Sequence, residues 1–166
     1  MTNHENPRGH ERHRLDRQIE ETVHDPYKER HKPPEPAVCP TCGVVFEHGR
    51  WHWKAKPASA QEHVCPACRR VKDEYPAGYV SLEGDFLREH RDELLHLVRN
   101  EEKRAKDEHP LERIIDIRQD GDKTVVTTTE LHLARRIGDA LHHAYQGNLE
   151  IKYSPDEYLV RVYWSR

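Results

Sequence analysis

The chain has 166 residues, of which only 34% are hydrophobic and 7% aromatic, and its mean hydropathy is -1.06. That is too little apolar material for one large core, so parts of the chain are expected to lie outside any core. The 27 basic side chains against 30 acidic ones, a formal charge of -3, exclude the global cationic field of a general nucleic-acid binder, and no apolar run approaches the ~18 residues of a membrane span.

Residues 1–36 mix Lys/Arg, Asp/Glu and histidine in near balance with few apolar side chains, the composition of a disordered polyampholyte tail. Leu15, Ile19 and Val23 recur at helical spacing, but an isolated helix of this length is marginal in water. His4, His10 and His13 read as polar filler. Pro33-Pro34-Glu35-Pro36 makes a stiff lead-in. Met1 to Lys32 has no apolar stretch of the secretory type, and with paired thiols the expected compartment is the cytoplasm.

All four cysteines fall in two pairs, Cys39-Pro40-Thr41-Cys42 and Cys65-Pro66-Ala67-Cys68. Two thiolates two residues apart take two corners of a tetrahedron, and a second pair returned by a hairpin supplies the other two, so the spacing predicts one four-thiolate zinc site. Such a site is closed and therefore structural, since a catalytic zinc keeps a position open. Two disulfides lack an oxidising compartment, and a single redox dithiol does not explain the duplication. An iron–sulfur cluster also uses four thiolates and stays open as an alternative.

Around this site the sequence predicts a zinc-ribbon module over 37–80. Gly43 suits the positive φ of a knuckle turn, Val44 to Phe46 read as a strand, and the stretch from His48 to Val64 as a hairpin. His48, His52 and His63 are unnecessary as ligands beside four thiols. Arg50, Lys54, Lys56, Arg69, Arg70 and Lys72 make this the one locally cationic stretch. With Trp53 they form the candidate RNA surface, cations on phosphate and an indole on an unpaired base. The competing reading gives the tryptophans to the module's own small core, with one of Trp51 and Trp53 packed on the knuckles.

Residues 81–109 are expected to be a helical connector. A helix from about Phe86 to Asp107 carries the stripe Leu87, Leu94, Leu95 and Val98, and its second half, charged all round with Glu102 and Lys106 at i,i+4, reads as a solvated spacer. Residues 110–166 then read as a ββαββ domain with an antiparallel sheet. Ile115 and Ile117 alternate with polar residues, Asp120-Gly121 turns the chain, and Thr124 to Thr128 is β-branched. Thr129 is the expected cap of a helix whose apolar face is Leu133, Ile137, Leu141 and Ala144, stopped at Gly147. Leu149 to Tyr153 and Tyr158 to Trp164 give the last strands. The fold class is thus α+β, and 111–166 is expected to fold without metal. Lys152, Leu159, Arg161 and Tyr163 on the open sheet face are read as a half-wet surface or a binding one. His142 and His143 have no ligand partners. The sequence holds no Gly-rich phosphate loop, nucleophile elbow or H-E-x-x-H helix, so the protein is expected not to be an enzyme.

The two knuckles, followed by Thr-Glu-Leu-His-Leu-Ala-Arg-Arg-Ile at 129–137 and Tyr-Gln-Gly-Asn-Leu at 145–149, resemble the ribosomal large-subunit export adaptor family associated with nonsense-mediated decay. More closely, the chain is similar to short bacterial zinc proteins that look like that adaptor's N-terminal region. The resemblance covers roughly 37–166 and implies contact with RNA or the large ribosomal subunit. The family's N-terminal part carries two zinc sites and this chain has thiols for one; the later domains and export signal have no counterpart. The expected function is an RNA- or ribosome-associated zinc protein, with a protein–protein adaptor as the alternative and an enzyme third. No membrane or small-molecule substrate is indicated.

Overall fold

The computed structural model describes residues 23–166, which form an α+β arrangement of two sheets. The small sheet holds β1 (Ala37–Val38), β2 (Val45–Glu47), β3 (Arg50–His52) and β4 (Gln61–Glu62) in the order β3-β2-β1-β4. His48-Gly49 joins β2 to β3 with φ of 55° and 78°, the positive-φ pair whose twist suits a two-residue hairpin. β4 pairs in parallel with β1, so the ribbon closes on its N-terminal strand. Helix α1 (Pro66–Asp73) follows, with proline in its first turn, where no N–H is needed.

The large sheet contains β5 (Gly78–Glu83), β6 (Ile114–Asp120), β7 (Lys123–Thr128), β8 (Asn148–Tyr153) and β9 (Val160–Ser165), in the order β6-β7-β5-β9-β8. Helices α2 (Asp85–Glu108) and α3 (Leu131–Tyr145) share one core with the sheet's inward side chains, among them Val80, Leu82, Val126, Val160, Val162 and Trp164. α3 approaches β9 closely because position 138 is glycine: a Cβ there would lie 2.5 Å from Val162 Cγ1.

β5 corrects the expected four-stranded ββαββ unit. It is the central strand, antiparallel to β7 and parallel to β9, and the boundary expected at 80/81 falls inside it. The signal was present, since Val80 and Leu82 are fully buried and alternate with the less buried Tyr79, Ser81 and Glu83, but a strand isolated from its partners by a long helix is easily absorbed into a connector. Nor is 81–109 a spacer. The stripe Leu87, Leu94, Leu95 and Val98 is buried as expected, but Ala105 near the far end is buried too, and Glu101 holds Arg136 of α3 at 2.9 Å. Glu102 feels the Lys106 charge, as expected, and also accepts from the Ile114 backbone amide.

The described part of the expected disordered tail is an ordered strap. Asp25 meets Arg70 at 2.6 Å, Tyr27 donates to Asp73 at 2.7 Å, and Glu29 accepts from Arg69 at 2.9 Å. Balanced local charge concealed pairing with α1, which is distant in sequence. Leu15, Ile19, His4, His10 and His13 lie outside the described residues. Thr129 does not cap α3. Its hydroxyl donates to Leu111 O (2.6 Å) and accepts from the Arg113 N–H (2.9 Å), leaving Glu130 at the cap position, where its side chain makes no capping bond. Ala144, placed on the apolar face by the sequence, is exposed.

Because β7 and β9 pair with β5 and not with each other, a fragment of 111–166 lacks its sheet centre. It should show no cooperative unfolding transition, whereas 76–166 should. Leu82→Ala in the full chain should cost about 2–5 kcal/mol; a loss below about 0.5 kcal/mol in urea titration would return this segment to a surface role.

Candidate metal centre

The two knuckles are built from backbone outward. The Cys39 N–H donates to Val44 O (2.8 Å) and the Gly43 N–H to Cys39 O (2.9 Å), with Gly43 at φ 83°. The second pair sits on α1, where Cys65 is the N-cap and its Sγ accepts from the Cys68 N–H at 3.4 Å. The Cys65 N–H in turn points at Cys39 Sγ, 3.4 Å away. Pairs lying 26 residues apart are thereby joined through one amide–sulfur contact.

All four sulfurs lie within 4.8 Å of one another, the one group of metal-capable side chains found among the described residues. Cys42 and Cys65 are 3.9 Å apart. A tetrahedron with ~2.3 Å metal–sulfur bonds has edges of about 3.8 Å, so the donor set and its dimensions both fit a closed metal site. Without metal, the Cys65 thiol contact draws Cys42 down to about 4 and pushes Cys65 up, while burial pushes Cys68 up. A divalent cation replaces the shared proton and lets all four ionise.

A side chain that the sequence reading missed completes the centre. Arg113, at the mouth of β6 and 7% exposed, donates through Nη1 to Cys68 Sγ (3.1 Å) and through Nη2 to Cys42 Sγ (3.1 Å), with Cys65 Sγ at 3.8 Å. Its Nε donates to Pro110 O at 2.9 Å. Four thiolates on a divalent ion carry a net charge of -2, and this guanidinium neutralises half of it in a rigid fork geometry that a lysine does not offer. Leu111 packs on the same cysteine cluster. No local pattern could reveal Arg113, because its sulfur contacts span 45 to 71 positions.

The proposed RNA surface does not assemble as read. Arg70 is 1% exposed, ion-paired to Asp25, bonded to Tyr75 O at 2.8 Å, and stacked 4.4 Å from the Tyr27 ring. Arg69 belongs to Glu29, and Lys54 to Glu47. Trp53 donates Nε1 to Lys106 O (2.8 Å), and its ring lies 5.6 Å from the Arg113 guanidinium, so it joins the modules while staying partly exposed. Arg50, Lys56 and Lys72 remain exposed. The physical reason is neutralisation: the acidic groups that disperse in sequence converge on these cations in space. Trp51 is the tryptophan that packs on the knuckles, 5.2 Å from Phe46. His63 pairs with Glu29 and stacks on Trp51, away from any ligand role.

Comparison of the chain with family models, curated proteins and solved structures finds no match.

Outer contacts of this kind typically contribute 10–100-fold to metal affinity. Arg113→Met should weaken metal retention by roughly that factor in a chelator competition, with Arg113→Lys recovering only part of it. Unchanged retention in Arg113→Met would remove the guanidinium from the centre. Cys65→Ser should lose the metal and, with it, the fold of 37–73, because in so small a module metal binding is folding free energy.

Proposed function

We propose that this is a non-enzymatic protein with one structural zinc that associates with RNA, in the setting of the large ribosomal subunit, through the helix-free face of its large sheet. The observation that carries the reading is what stands on that face. Register sets Tyr79 beside Arg161 and Ser81 beside Tyr163, with Lys152 next to Arg161 and Arg118 across from Val125. The Arg161 guanidinium lies 4.7 Å from the Tyr79 ring and the Lys152 ammonium 5.8 Å from that of Tyr163. Among the described residues, neither Arg118 nor Arg161 makes an ion pair.

Aromatic rings on adjacent central strands, with cations between and beside them, are the recurrent means of stacking unpaired bases while holding phosphates. A surface of this kind on a rigid sheet costs little ordering on binding. The closed four-thiolate site supports zinc in a structural role and offers no open position for chemistry. The resemblance of the knuckles and of 129–149 to the ribosomal export adaptor family supports the ribosomal setting. Relative to the surface read from the sequence, the RNA contact moves from the metal module to the sheet.

Fluorescence anisotropy with a single-stranded RNA tests this. Tyr79→Ala and Tyr163→Ala should each cost ~1–3 kcal/mol of affinity, and Arg118→Ala and Arg161→Ala should each lower the salt slope by about one unit. Lys56→Ala and Lys72→Ala should leave it unaltered. If these sheet variants are silent, and if the protein keeps its cellular partner through nuclease and salt washing, the protein–protein adaptor reading holds instead.

A further inference from the structure

We propose that the cleft enclosed by the strap, the small sheet and the start of α3 binds a small organic cation, an ammonium or guanidinium head carried on a flat apolar body. The cleft measures about 700 Å3, within the usual range for small-molecule sites, and lies at a junction between modules where such sites concentrate. It continues past Trp51 and Glu130 into a hollow beside Pro110 and Glu112. Neither the metal centre nor the open sheet face uses it, so it stands apart from the RNA reading.

Tyr27, Phe46, Trp51 and Tyr158 give the cleft an aromatic wall and Glu130 a carboxylate; Glu112 lines the adjoining hollow. Glu112 is 7% exposed and, among the described residues, its carboxylate has no hydrogen bond or ion pair. Glu130 accepts one bond, from the Tyr158 hydroxyl at 3.1 Å. Three of the cations nearby are paired elsewhere, Arg70 with Asp25, Arg136 with Glu101 and Lys32 with Glu35, while Lys28 also lines the cleft. A largely buried carboxylate without an ion-pair partner is costly.

Burial acts on both carboxyls in the same sense. Burial, followed by the charge of Asp25, pushes Glu130 up to about 7, and burial also raises Glu112. Among the described residues neither group forms an ion pair; Arg70 acts on Glu130, and His109, His132 and Arg136 on Glu112, only from a distance, which leaves a direct partner for a ligand to supply. A bare metal ion is the wrong occupant, because these carboxylates and the neighbouring histidines do not converge as ligands do; only the four cysteines converge that way among the described residues. An organic cation suits the rings as well as the acids, since a cation over an aromatic face gains from the ring quadrupole.

Isothermal titration of the full-length, metal-loaded protein with phenethylamine, 2-phenylethanol and phenylacetate separates charge from shape. Phenethylamine should bind at least about tenfold tighter than the neutral alcohol, the margin expected of a charged hydrogen bond, and phenylacetate should not bind. Glu112→Gln and Glu130→Gln should each weaken phenethylamine by about tenfold while leaving the melting temperature equal or higher. The proposal is overturned if the amine and the alcohol bind alike, if no probe binds, or if both variants bind as the parent does. A fall in melting temperature in both variants would also overturn it, making the carboxylates structural.

Discussion

The joining of the two modules depends on the fork of Arg113 over the cysteine sulfurs. The metal module is too small to hold itself: beside the cluster of Cys39, Val44, Cys65, Ala67 and Cys68 it buries only Ala37, Val38, Val45 and Phe46 of its strands as hydrophobic residues. Closing four thiolates on one divalent ion creates a buried negative charge that needs a partner, and the partner comes from the other module. Removing one member of such a pair strands the other, which is why buried pairs are costly to break even where they add little net stability when formed. Arg113 is itself fixed from three sides, by Pro110 O, by the Thr129 hydroxyl and by the Thr129 amide donating to its carbonyl. The metal centre thereby fixes the entry to β6 and Thr129, two residues before α3.

Two further cation contacts extend the latch. Trp53 reaches across to the last turns of α2, and Arg70 sits among the rings of Tyr27, Tyr75 and Tyr158, tying strap, α1 and large sheet together. The aromatic-walled cleft exists only because of this arrangement, with Phe46 and Trp51 from one module and Glu112, Glu130 and Tyr158 from the other. The opposite face of the large sheet is untouched by these contacts and stays open to a partner.

What could be read from the sequence was whatever is encoded locally. The paired cysteines, the apolar stripe of α2, the helix around Leu133 and Ile137, and the strands ending at Trp164 all follow from spacing or periodicity over a few residues. Five features did not, and each is non-local. β5 is a clear alternating strand whose partners, β7 and β9, come after a 24-residue helix, so nothing beside it announced a sheet. The strap looked disordered because Asp25 and Glu29 are meaningful only opposite Arg70 and Arg69. The basic cluster around the metal looked free for the same reason. Arg113 is an ordinary residue in Leu-Glu-Arg-Ile until the chain folds, and Thr129 looks like a cap until Arg113 needs its hydroxyl.

The most direct test of the latch is hydrogen exchange on the full chain, with metal and after its removal by chelator. If the centre joins the modules, metal removal exposes the amides of 37–73, and in the same step those of the strap and of 109–113, while Val80, Val126 and Val162 in the large sheet stay protected. Loss of protection confined to 37–73, with 109–113 and the strap unchanged, would contradict it.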